Sequence, residues 1–267
     1  MEQPESGSRL VQFAVLKPDS LAHASTQRPV ILEAPIAIEY NGIGYAVMMA
    51  TPTDLHDYVL GFSLSEQLID DAAQLLAVDI HQAGQGWIMR VQLPPDRIKK
   101  VVDRARQRVS EGSCGLCGMD NLDEVMRPLP PVTARVDVTP DAIFAALGNL
   151  RTHQPLNQAT GAAHAAAFCN PDGTIVMTRE DVGRHNALDK LLGGLARAKI
   201  PASGGFLLLT ARCSFELTQK AIIANCPLLV TISAATDLAI KLAAQHGLQM
   251  VSLARPDGAL AASLQSA

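Results

Sequence analysis

Gly205-Phe206-Leu207-Leu208-Leu209-Thr210, Leu228-Leu229-Val230-Thr231-Ile232-Ser233 and Leu248-Gln249-Met250-Val251-Ser252-Leu253 are three short apolar runs, separated by helical patterns at residues 215–225 and 236–246. Strand-length runs that alternate with helix-length patterns mark an α/β unit with a largely parallel sheet, because a crossover helix returns the chain to lay the next strand beside the last. Further upstream, residues 163–169 form another strand candidate. Pro171-Asp172-Gly173 follows as a turn, residues 174–178 as the returning strand, and a helix is expected over 185–199. Thr139-Pro140-Asp141 starts a helix, with a hydroxyl cap, proline in the first turn and a carboxylate at the positive dipole end. Ile143, Phe144, Leu147 and Leu150 supply its apolar stripe.

The N-terminal half has a different rhythm. Strands are expected over residues 10–16, 34–40, 45–50 and 87–93, with Asn41-Gly42 as a tight hairpin turn. A helix is expected from Thr53 or Asp54, although Gly61 sits inside it. Residues 96–109 carry Arg97, Lys99, Lys100, Arg104, Arg106 and Arg108, the most basic stretch of the chain: either a solvated face or an attractor for an acidic partner. Arg127-Pro128-Leu129-Pro130-Pro131 is too proline-rich to continue a helix. The expected organisation is a small α/β domain over residues 1–130 and a larger one over 131–267.

Bulk composition narrows the function classes. The chain has 267 residues, 48% of them hydrophobic but only 4% aromatic, so aliphatic side chains must fill the interior. Twenty-two Lys and Arg against 26 Asp and Glu leave a formal charge of -4, the wrong sign for a general nucleic-acid binder. No apolar stretch is long enough to span a bilayer and residues 1–9 lack a signal-type core, so a cytoplasmic protein with no membrane partner is expected. Five cysteines with one close pair do not make a secreted disulfide framework.

That close pair lies in Glu111-Gly112-Ser113-Cys114-Gly115-Leu116-Cys117-Gly118. Glycines on both sides let the loop turn sharply and let a bulky partner come close to the sulfur atoms. Inert half-buried thiols, structural zinc, a dithiol switch and sulfur relay all remain open. Zinc would need four ligands, and Cys169, Cys213 and Cys226 offer no second pair, so no metal site is expected. A dithiol switch would want the pair between a strand and a long helix, whereas prolines follow here. Relay of sulfur as a persulfide needs an accessible thiolate on a loop, which basic neighbours favour.

A second dense stretch runs from Thr178 to Lys190, with Arg179, Glu180, Asp181, Arg184 and His185 around Gly183 at a strand-to-helix junction, where open α/β sheets hold ligands and free helix N–H groups favour phosphate. An internally paired surface network is the alternative. Arg179, Arg184 or Arg212 is expected on phosphate, and Glu180 or Asp181 on the donor edge of guanine. His164 is either near this crevice or a satisfied core group, and Ser214 is either an anion ligand or a helix cap.

E-A-P-I-A-I-E-Y-N-G at 33–42, T-P-T-D-L-H-D-Y-V-L-G-F-S-L-S-E at 51–66, S-C-G-L-C-G at 113–118, T-G-A-A-H-A-A-A-F at 160–168, R-E-D-V-G-R-H-N-A-L-D-K at 179–190 and R-C-S-F-E-L-T-Q-K-A at 212–221 follow one another in an order that resembles the FdhD family of formate dehydrogenase accessory sulfurtransferases. The resemblance implies that sulfur is accepted from a cysteine desulfurase as a persulfide on Cys114, with Cys117 as its partner, and passed to molybdenum in the bis-molybdopterin guanine dinucleotide cofactor. That cofactor is cargo bound for formate dehydrogenase, so no permanent cofactor is implied. The family's cofactor segment falls on Leu253, Ala254, Arg255, Pro256, Asp257 and Gly258. A larger C-terminal domain of the three-layer cytidine deaminase type, a smaller N-terminal α/β domain and a homodimer are implied as well. Family members usually read S-G-R-A-S-F-E where this chain has Thr210-Ala211-Arg212-Cys213-Ser214-Phe215-Glu216, and they commonly carry a further basic residue and a Tyr-Thr pair near the end. Deamination itself is disfavoured, because His164-Ala165-Ala166 lacks the proton-shuttling glutamate of H-x-E.

Overall fold

The computed structural model describes residues 7–16, 24–110 and 127–262. A two-stranded hairpin pairs β1 (Ser8–Val15) with β2 (Ala24–Ile31). A four-stranded sheet follows, in the order β4 (Ile43–Ala50), β3 (Ala34–Tyr40), β6 (Gly86–Gln92), β5 (Ala77–Ala83). Asn41 and Gly42 take φ of 51° and 80° in the β3–β4 turn, the left-handed pair that this hairpin demands. Helix α1 (Leu55–Ser65) connects β4 to β5, and α2 (Pro95–Ser110) follows β6.

Helices α3 (Pro140–Leu150) and α4 (Pro155–Thr160) precede the six-stranded sheet, ordered β12 (Gly258–Ala261), β11 (Gln249–Arg255), β10 (Leu228–Thr231), β9 (Phe206–Leu209), β7 (His164–Cys169), β8 (Ile175–Asp181). Its connecting helices are α5 (Arg184–Arg197), α6 (Phe215–Ile223) and α7 (Asp237–His246). Thr139 caps α3 as its sequence predicts, its hydroxyl accepting from Ala142 N at 3.2 Å. The expectation of a largely parallel sheet needs refining. Strands β8 to β11 all run the same way, but β7 is inserted between β8 and β9 against both, so only β9–β10 and β10–β11 pair in parallel. Alternating residues serve opposite faces. Ala166, Phe168, Leu207, Leu209 and Leu229 pack with α5, α6 and α7, while Ala167, Cys169, Phe206, Leu208 and Val230 pack with α3. No helix among the described residues is long and apolar enough to cross a membrane.

Helix α1 packs along α5, and two glycines explain how closely. A Cβ on Gly61 would lie 1.7 Å from Asp189 O, and one on Gly193 would lie 1.8 Å from Asp57 O. The backbones touch there, so any side chain would force the helices apart. Gly61, which weakens the helical pattern in the sequence, is what allows α1 to dock.

Candidate functional site

Because β8, β9, β10 and β11 share one direction, their C-terminal ends emerge at one end of the sheet, the usual place for a ligand in such folds. His164 joins them there, since it opens the antiparallel β7 and pairs with Asp181 at the end of β8. Backbone bonds tie the loops at this end together. Cys213 N donates to Ala234 O at 3.0 Å, Thr236 N to Cys213 O at 3.0 Å, and Leu253 N to Ser233 O at 3.1 Å. The segment holding Arg212 and the segment beginning at Leu253 therefore flank the same loop. Pairing in β11 shifts register between Ser252 and Arg255, and Leu253 holds φ of 51°. A leucine in the left-handed region stores strain of the kind that gathers at ligand sites. Beyond Ala254, which is buried, Arg255, Pro256 and Asp257 are exposed at the hairpin tip and Gly258 opens β12.

Two helices point their N-termini at this end without a side-chain cap: α5 after Gly183 and α6 after Ser214. First-turn N–H groups left in this state attract an anion. Ser214 stands at the cap position but its Oγ, like Arg184 Nε, is a buried atom with no hydrogen-bond partner among the described residues. His185 Nε2 lies 2.8 Å from a Glu216 carboxylate oxygen, a contact that is an ion pair only when the imidazole is protonated. Arg212 is exposed. Burial, then the nearby charge of Arg184, pulls the pKa of His164 below its ordinary value, which disfavours the protonated imidazole.

Arg179, Glu180 and Asp181 do something else, and the expectation for them is revised. Asp181 is fully buried, and its two oxygens accept from Gly183 N, Asn186 Nδ2, Thr51 N and Lys190 Nζ at 2.7–3.0 Å. All four lone-pair positions are used, so none remains for guanine. Glu180 accepts from Leu156 N and Asn157 N, both at 2.8 Å, which fastens the start of α4. Arg179 donates from Nε to Asp57 at 2.8 Å and from Nη1 to Thr178 O at 2.9 Å, facing α1 rather than the strand ends. Lys190 is likewise buried, on Asp181 and Thr51 O. The charge-rich stretch thus divides: Arg184 and His185 stand in the first turn of α5 beside the strand ends, while Arg179, Asp181 and Lys190 lock β8 and α5 to the N-terminal half.

Residues 31–261 match the FdhD/NarQ family. The chain belongs to that family. Among its relatives, the sulfur carrier protein FdhD of Xanthomonas euvesicatoria pv. vesicatoria is 44% identical over 87% of this chain and 83% of its own length. The protein of the same name from Variovorax paradoxus is 42% identical over 85% of this chain and 82% of its own. In fold, the chain is similar to a crystal structure from Desulfotalea psychrophila described as a formate dehydrogenase accessory protein, with a TM-score of 0.73, 21% identity, and coverage of 95% of this chain and 96% of that one.

Cys114 and Cys117 fall within the FdhD/NarQ match but lie outside the described residues. Arg127, ten positions beyond Cys117, is described: its Nη2 donates to Ser65 O at 3.0 Å. It lines a pocket of about 180 Å³ together with Glu66, His185, Asp189, Glu216 and Lys220. The thiols of Cys169, Cys213 and Cys226 are each 0% exposed. Burial pushes Cys169 and Cys226 up to about 12 and raises Cys213 too, so all three stay protonated. No motif marks a role for Glu216 or Asp57. Spacing held a clue for Glu216, which sits four residues before Lys220 and so shares a helix face with it. For Asp57 there was none, because its partners Arg179 and Arg197 are more than a hundred residues away.

Proposed function

We propose that this protein is a sulfurtransferase that carries sulfur as a persulfide on Cys114 and delivers it to the molybdenum of a bound bis-molybdopterin guanine dinucleotide, on the way to a formate dehydrogenase. The single observation that carries this is the state of the other thiols: Cys169, Cys213 and Cys226 are sealed and protonated, so Cys114 and Cys117 are the sulfur atoms left for chemistry in a chain whose relatives are named sulfur carrier proteins. The donor is a cysteine desulfurase and the setting the cytoplasm.

The steps balance without an outside oxidant. The Cys114 thiolate attacks the outer sulfur of the desulfurase persulfide; the donor's sulfur–sulfur bond breaks, its thiolate leaves, and a new bond forms on Cys114. Cys117 then attacks the Cys114 sulfur, releases hydrosulfide toward the cargo metal and closes a disulfide, which a cellular dithiol reopens. The cargo's phosphates are held by Arg184, His185, Arg212 and the first-turn N–H groups of α5 and α6, with Leu253, Ala254, Arg255, Pro256, Asp257 and Gly258 as the neighbouring wall. A two-fold dimer offers one such crevice to each guanine dinucleotide half.

The test is to load the protein from a purified cysteine desulfurase with labelled sulfur and map the adduct by mass spectrometry. Label is expected on the Cys114 peptide, absent in Cys114→Ala and retained in Cys169→Ala. Undiminished labelling of Cys114→Ala overturns the assignment.

A further inference from the structure

His185 and Asp189 stand one turn apart on α5, and Glu216 and Lys220 one turn apart on α6, so each pair shares a helix face. The two faces meet in two rungs, with Asp189 against Lys220 inside and His185 against Glu216 at the mouth. The inner rung belongs to the folded core: its side chains are 2% and 12% exposed, and Ser65 Oγ also donates to Asp189 at 2.8 Å. The outer rung is open, with the Glu216 side chain 61% exposed. An acid that exposed gains little stability from one partner. Its surroundings are nonetheless cationic. The contact with His185, and then the charges of Arg184 and Lys220, hold the Glu216 carboxyl below its ordinary range. Among the other charged groups of the same pocket, Glu66 and Asp189 oppose Glu216 while Arg127 favours it.

Resting on the assignment of this crevice to phosphate, we infer that Glu216 is a resident competitor: its carboxylate occupies the place on His185 that a ligand phosphate would take, and it must be displaced for the ligand to seat. An exposed acid in such a position sets a threshold of charge. A singly charged anion gains about what Glu216 loses, whereas a pyrophosphate group brings several charges and wins. Glu216 therefore subtracts the same displacement cost from every anion, so that a monoanion is left without net binding while a nucleotide diphosphate still seats.

Calorimetric titration of inorganic pyrophosphate and of GDP into the full chain distinguishes the alternatives. Glu216→Gln and Glu216→Ala are both expected to bind pyrophosphate about tenfold more tightly than the wild type. Both variants are also expected to gain affinity for acetate, with unchanged thermal melting. Equal or weaker pyrophosphate binding by both variants, while the wild type binds, overturns the role of Glu216 and leaves the crevice assignment standing. Absence of pyrophosphate and GDP binding in all three proteins overturns the crevice assignment, and this inference falls with it.

Discussion

Asp181 and Arg184 are three residues apart and equally charged in magnitude, yet they inhabit opposite worlds. Asp181 is enclosed at the junction of β8, α5 and the loop before α1, with each acceptor position filled by a donor from the protein. Arg184 stands at the uncapped start of α5, and its Nε has no partner among the described residues. The same contrast runs through the stretch. Asn186 reaches Met49 O and Tyr58 across the helix junction, and Lys190 reaches Thr51, whereas His185 meets the half-open Glu216 at the start of α6. Saturation is the mark of a group that holds the fold together, and unmet capacity the mark of one kept for something else. Residue type alone does not separate the two.

The sharpest way to break this comparison is to remove a charge from its saturated side. Asp181→Ala leaves Lys190 buried without its counter-ion and is expected to cost about 3–5 kcal/mol of stability, seen as a lower urea midpoint at unchanged slope. Asp181→Asn combined with Lys190→Met should recover part of that loss; a stability within error of wild type for Asp181→Ala would mean that the junction is not fastened as described. On the open side, Arg184→Ala should leave stability within about 0.5 kcal/mol and weaken GDP binding about tenfold in calorimetry. A large drop in melting temperature with unaltered binding would invert the division.

The smallest expected effect concerns His164, which sits between the two regions. Its pKa is depressed in the folded protein from the ordinary 6.5, by burial first and Arg184 second, so the unfolded chain takes up a proton that the folded one resists. The stability it contributes is present above about pH 6.5 and is lost as the pH falls toward the folded-state value. Denaturation midpoints measured at pH 7.5 and 5.5 should therefore converge more in His164→Gln than in the wild type. Equal pH slopes in the two proteins would remove His164 from the crevice's electrostatics.

Much of the fold is legible in local pattern. The strand, helix, strand, helix, strand succession from β9 to β11 falls within two residues of its expected ends, because each element carries its own apolar period and its own cap or turn. The insertion of β7 between β8 and β9 is not legible, since periodicity tells that a strand exists but not which neighbour it will bond. Strands β2, β5 and β12 are illegible for a related reason: their described residues are mostly exposed or half-buried, so no apolar alternation announces them. In the candidate site, the presence of Arg184, His185 and Arg212 near strand ends could be anticipated from the junctions they occupy. That Arg179, Glu180 and Asp181 turn away could not, because their partners are Asp57, Thr51 and the start of α4.

By itself, the sequence determined the family, the α/β class, the pair of loop cysteines, and the stretch of charge that any ligand site would have to draw on, because motif order, apolar period and residue chemistry are all local properties of a chain. Which of those charges are free was decided only by tertiary structure. Two glycines let α1 lie against α5 at backbone distance, and that approach brings Thr51, Asp57 and Tyr58 to groups more than a hundred residues away, consuming some hydrogen-bonding capacity and leaving the rest at the mouth of the crevice.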